Sequence, residues 1–152
     1  MSIIMARIDN RLIHGQVVEG WLPALKVDEV VMVSEEYAAS ALAKKMFRLS
    51  LPPGYGLQVF APLQAAEYLK KPGGARKFVL IEDVPALKIL LENGLVLPKI
   101  NIGNTRYGHG KTERVPGIYL SEEDFVFLEK IKQEGVSLDL RALPSSLPGR
   151  FA

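Results

Sequence analysis

Short runs of branched apolar residues alternate with helix-spaced patterns along this chain, and no other feature limits its fold so tightly. The runs are IIMARI (3–8), EVVMVS (29–34), LQVFA (57–61), KFVLIE (77–82) and KINIG (99–103). Each is bounded by polar or turn residues and is too short for a core helix, so each reads as a buried strand. Helical signals lie between them. Val18, Trp21, Leu22 and Leu25 recur at helical spacing, while Gly20 and Pro23 predict a short or kinked helix. Ser34 is placed to cap a helix that buries Ala38, Leu42, Met46 and Leu49 and stops at PPGYG (52–56). Pro62 opens a helix through Leu69, and Asp83 caps another running to Glu92. SEED (121–124) is a capping box in which Ser121 reaches the backbone of Asp124 and opens a helix over 122–134. The glycine-rich stretch NTRYGHGKTERVPG (104–117) reads as a loop leading to a short strand, IYL (118–120). VSLDLRAL (136–143) closes the pattern as an edge strand. Strands joined through helices predict one α/β domain over residues 1–152, with a mostly parallel sheet covered on both faces. Residues 143–152 read as a loose tail.

Composition removes several classes of function. A length of 152 residues with 48% apolar content is enough for one packed core. The net charge is +2 and the basic residues are interleaved with acids, so no nucleic-acid footprint is expected. The apolar runs fall short of the about 20 residues of a membrane span. MSIIMARID at the start is too short and too soon charged for a secretory signal, which predicts a cytoplasmic location. There is no cysteine, hence no disulfide and no thiolate metal site. His109 has no acids or histidines at ligand spacing, so no metal is expected. HGKT (109–112) would need a glycine where Thr105 stands to form a nucleotide phosphate loop. No cofactor is expected.

One stretch carries more polar chemistry than a connection needs: RIDNRLIHGQV (7–17), directly after the first strand. In parallel α/β sheets, ligands bind outside the C-terminal strand ends, and this is the first such loop. His14 and Gly15 fall at the entrance of the next helix, where free amides and the helix dipole converge on an anion. Gly15 lets the backbone approach closely, and Arg11 offers a planar fork of donors. A histidine there is a candidate nucleophile for a phosphoryl group. The same residues also fit a turn histidine beside a structural Arg–Asp pair, and spacing alone does not choose between them.

The stretch ARIDNRLIHGQV (6–17) resembles the signature that opens enzyme IIB subunits of the mannose/fructose/sorbose type in the bacterial sugar phosphotransferase system. That pattern, A-R-I-D-x-R-L-I-H-G-Q-V, is matched at every specified position. Trp21, PPG (52–54), NIG (101–103) and GKT (110–112) follow in the family's order. The resemblance implies a three-layer α/β/α sandwich with a mostly parallel central sheet. It implies that His14 accepts a phosphoryl group on Nδ1 from a phosphohistidine of a IIA protein. The group would then pass to a sugar held by membrane IIC and IID subunits. Arg11 matches the phosphate-stabilising arginine, and Asp9 is expected to orient Arg11, Arg7 or a backbone amide. Asn10 and Gly15 share the loop as phosphate-binding or orienting residues.

On the loop after the fifth strand, Arg106, Lys111 and Thr112 are expected to border the same crevice or a partner surface. Arg7, Arg11 and Lys111 would suit an acidic patch on the donor. The signature starts at residue 6, so the donor is expected to be a separate polypeptide, with peripheral association to the membrane permease; a homodimer is left open. Asn104 stands where many relatives have a second glycine, TRYGHG (105–110) is this chain's own variation, and the tail is atypical. A regulatory phosphorelay protein using the same histidine is the alternative reading. A scaffold that kept the fold and lost the chemistry is argued against by the intact signature. The sugar is not encoded here, because in this family the membrane partners choose it.

Overall fold

The alternating aliphatic runs become the strands of one six-stranded sheet in which every neighbouring pair is parallel. This is a computed structural model, and it describes residues 2–151. The strands are β1 (Ile3–Asp9), β2 (Glu29–Val33), β3 (Gly56–Phe60), β4 (Lys77–Ile81), β5 (Lys99–Asn104) and β8 (Ser137–Asp139), and they lie in the order β3-β2-β4-β1-β5-β8. β-Branched and long aliphatic residues fill both faces, as expected for a parallel sheet buried on each side. Ala6, Ile8, Val31, Val33, Val79 and Ile81 face one layer of helices: α4 (Pro62–Lys70), α5 (Val84–Glu92) and α6 (Glu122–Gln133). Val30, Met32, Phe78 and Leu80 face the other. That second layer holds a π-helical turn (Gln16–Trp21) running into α1 (Leu22–Leu25), then α2 (Glu35–Ala38) and α3 (Ala41–Ser50). The result is the three-layer α/β/α sandwich with a parallel central sheet.

The caps sit where the sequence puts them. Ser34, Asp83 and Ser121 accept the backbone N–H of Tyr37, Ala86 and Asp124. Pro62 stands in the first turn of α4. The π-helical turn has Gly20 within it, and Pro23, which brings no N–H to the ladder, follows it at once.

Several expectations are corrected. The helix after β2 is two pieces, because Ser40 takes an extended conformation and caps a new helix through the Ala43 N–H. Leu42, Met46 and Leu49 point outward, at 70%, 60% and 86% exposure, rather than into the core. Ala38 is only half-buried. The 104–117 stretch is not all loop: β6 (Thr112–Val115) pairs antiparallel with β7 (Ile118–Leu120) through a turn in which Gly117 has φ +83°. Thr-Glu-Arg-Val lacks the apolar run that marks the other strands. The closing strand stops at Asp139, whose carboxylate accepts both the N–H and the guanidinium of Arg141 and bends the chain. Residues 143–151 form no regular element; within them Leu143 and Ser146 bond each other, and Phe151 packs edge-on against Phe125 at 5.6 Å. Met1 and Ala152, the ends of the expected domain and tail, lie outside the described residues.

Sheet order positions the site. β1 feeds the π-helical turn on one face, while its neighbour β4 feeds α5 on the other. Connections that leave two adjacent strands toward opposite faces open a crevice between them, where ligands of such sheets bind. Among the described residues no helix is long and apolar enough to cross a membrane, and no group of acids, histidines or cysteines could hold a metal ion.

Candidate functional site

The site is built outward from Asp9, the last residue of β1, whose side chain is fully buried. The chain turns at once: Leu12 N–H donates to the Asp9 carbonyl, and Arg11 N–H donates to Asp9 Oδ1 at 3.0 Å. Leu12 takes φ +59° to complete the turn, a left-handed conformation that costs a leucine about 1–3 kcal/mol and is held by its complete burial. That turn brings His14 back over the carboxylate. His14 Nε2 lies 2.7 Å from Asp9 Oδ2 with the imidazole 16% exposed.

The contact assigns the tautomer. An ionised carboxylate can only accept, so Nε2 carries the proton and Nδ1 keeps the lone pair in the neutral ring. Burial works against the Asp9 charge. The His14 bond, the Arg11 N–H and the Arg7 charge more than offset it and hold the carboxyl below its ordinary range.

Arg7 is 0% exposed, which removes it from any docking surface and from contact with an incoming phosphoryl group. Burial pulls its pKa down, against the opposing pull of Asp9. Its guanidinium donates to Asp9 Oδ2, to Asn101 Oδ1 at 2.7 Å, to the Arg141 carbonyl and to Gln16 Oε1. It lies flat on Gly103: a Cβ there would sit 2.0 Å from Arg7 Cζ. The Trp21 ring has the Arg7 and Arg141 guanidinium carbons 5.5 and 5.6 Å from its centroid, and its indole N–H donates to the Ala142 carbonyl. Arg7 is the buried member of the pair.

Arg11 is the accessible one, with its side chain 42% exposed. It touches Asp9 Oδ1 at 3.4 Å through Nε and Gln16 Oε1 at 3.0 Å through Nη2. Gln16 therefore accepts from both arginines. Gly15 opens the helical turn, and nothing lies within 4 Å of where its Cβ would be. Open ground beside an imidazole, an arginine fork and the head of a helical turn is a place for an anion.

Asn10 looks the other way. Its N–H donates to the Asn104 carbonyl and its Oδ1 accepts from Asn104 Nδ2, so the variant residue Asn104 clasps the loop to the end of β5. Asn10, Arg106 and Lys111 line a crevice of about 310 Å³ with Glu82, Tyr119 and Asp124. His14 does not line it, and Thr112 lies outside it on β6. The 7–17 stretch is thus brought together around Asp9, and the 104–117 hairpin reaches it through Asn10. Sequence reasoning missed the direct Asp9–His14 bond and the supporting residues Gln16, Asn101 and Gly103, all inside the quoted motifs. It also missed Arg141, which carried no signal.

The chain matches the family model for the "PTS system sorbose subfamily IIB component" over residues 3–151. It is 31% identical over 151 residues to the sorbose-specific EIIB component of Lacticaseibacillus casei, covering 96% of this chain and 92% of that protein. It is 27% identical over 153 residues to the fructose-specific EIIB component of Bacillus subtilis, covering 99% and 94%. The solved structure of the N-acetylgalactosamine-specific IIB component 1 from Escherichia coli superposes with a TM-score of 0.91 at 26% identity, covering 99% of this chain and 99% of that one. The chain belongs to the sorbose subfamily of IIB components of the sugar phosphotransferase system, phosphocarriers of sugar uptake.

Proposed function

We propose that His14 is the phosphoryl carrier, through Nδ1, between a phosphohistidine of a IIA protein and a sugar presented by membrane IIC and IID subunits. The observation that carries this is the 2.7 Å contact of His14 Nε2 with buried Asp9, which leaves Nδ1 as the nitrogen with a lone pair. In the forward step Nδ1 forms a bond to phosphorus as the donor's N–P bond breaks, and the donor nitrogen leaves with the electron pair. Positive charge that develops on the ring is met at Nε2–H by Asp9, and the phosphoryl oxygens are met by Arg11 and the head of the helical turn. In the second step a sugar hydroxyl oxygen attacks the same phosphorus and releases its proton to solvent, while Nδ1 departs with the N–P bonding pair and leaves the ring neutral with Nε2–H still on Asp9. Peripheral association with the membrane subunits follows from that second step. The relatives above are named for three different sugars, which supports uptake over a regulatory relay and leaves this chain's own sugar to its partners.

The test is incubation with a phosphorylated IIA protein. An acid-labile, base-stable adduct on His14 is expected, with a phosphorus–nitrogen-15 coupling to Nδ1 and none in His14→Ala. Phosphate on His109, or on Nε2 of His14, would overturn the assignment.

A further inference from the structure

The outer face of α3 is the structure's largest departure from its own hydrophobic pattern. Leu42, Met46 and Leu49, spaced i, i+4 and i+7, form one stripe, and it faces solvent. The helix cannot roll it inward. Phe47 is seated on the sheet side, edge-on to Tyr37 at 5.1 Å, and Arg48 donates to the carbonyls of Tyr55 and Pro52. Lys45, three residues after Leu42 and four before Leu49, stands exposed beside the stripe, and no carboxylate occurs between Glu36 and Glu67.

Two occupants fit poorly. A second copy packed on the stripe would bring the lysines of both helices together with no acid to pair them. Three side chains also fall far short of the roughly 800 Å² per partner that a stable protein interface buries. An exposed apolar stripe flanked by a lysine on an acid-free segment matches a helix lying in a membrane interface. The stripe shares its sheet face with the helical turn that follows His14, and α2 and α3 follow the same C-terminal rim of the sheet. We propose that α3 rests on an anionic lipid surface, with Leu42, Met46 and Leu49 inserted at headgroup depth and Lys45 on the lipid charges. This deepens the reading of the chain as a carrier that serves membrane subunits, and adds a contact made to the lipid itself.

The experiment is flotation of the purified protein, without any donor, on vesicles of phosphatidylcholine alone or containing about one third phosphatidylglycerol. Association with the anionic vesicles only, weakened by salt, is expected. Lys45→Glu, and separately Leu42→Ser with Met46→Ser and Leu49→Ser, should each lower that association on the order of tenfold. Both variants should keep the parental circular dichroism and still accept phosphate on His14. No association of the parent, equal association of the variants, or a parental dimer that the serine variant dissolves would overturn the proposal. Binding confined to vesicles that carry the IIC and IID proteins would overturn it too, in favour of a protein dock. Loss of His14 phosphorylation in the parent would instead strike the carrier assignment and leave the lipid result to stand alone.

Discussion

Asp9 decides what each neighbouring side chain can do. Its two oxygens accept from Arg7, from the N–H and side chain of Arg11, and from His14, so one buried charge sets an imidazole tautomer and two guanidinium positions. The two arginines divide the work by exposure: Arg7 is sealed, and Arg11 is open to a ligand. Replacing Arg11 with alanine removes a half-exposed ion pair, which is worth about 0–1 kcal/mol of stability. The loss in phosphoryl transfer should be far larger, about 10²–10³ in rate, as for one donor withdrawn from a prepared anion site. Arg11→Lys should recover charge without the planar fork and stay clearly impaired. Thermal melts beside rapid-quench transfer from phosphorylated IIA measure both sides. A parental rate in Arg11→Ala would return Arg11 to a structural pair.

At the scale of elements, the site depends on β5 as much as on the motif loop. Gly103 and Asn101 receive the Arg7 guanidinium, one by having no side chain and the other through Oδ1. Gly103→Ala would place a methyl group on that guanidinium, so Arg7 must leave Asp9, and separating such a buried pair costs about 3–5 kcal/mol. Urea unfolding should show a loss of that order, with slower transfer because Asp9, the acceptor of His14, loses its Arg7 partner. A parental midpoint would mean that Arg7 has another place to go.

This also marks what could be read in advance. The residues around Asp9 that are contiguous in sequence, Arg11 and His14, were legible as one loop, because a strand end followed by a helix start puts them at the sheet rim. The burial of Arg7 was not, since it rests on partners 94 and 134 residues away. The strands and caps were legible because their signals are local. The orientation of α3 was not: a spacing of i, i+4, i+7 says that a stripe exists, while the direction it faces is set by Phe47 and by the carbonyls that hold Arg48. β6 escaped because a short exposed strand of mixed polarity has no period to detect.

Over the whole molecule, one polar network ties the C-terminal rim together. Arg7 joins β1 to Asn101 of β5, Asn101 donates to the carbonyls of Asp139 and Arg141, and Asp139 bonds Arg141 in the closing segment. Burial opposes the charges of both Asp9 and Asp139, but bonds from His14 and Arg11 in one case and from Arg141 in the other hold both carboxyls below their ordinary range. A carboxyl with a depressed folded-state pKa contributes stability that is complete above its unfolded value of about 3.9 and is lost as pH falls through the folded value. Asp124 acts in the opposite sense: burial raises its pKa, so the fold gains slightly as that group protonates. Two depressed groups in a shared network outweigh one raised and partly exposed group. Stability should therefore be level near neutral pH and fall from about pH 4 downward. Urea midpoints between about pH 7 and pH 3 measure the slope. Asp139→Asn, at the sheet edge, should fold and show a shallower acid limb than the parent. Should the variant and the parent lose stability in parallel, Asp139 has no share in the acid response, and the rim is held by Asp9 and Arg7 alone.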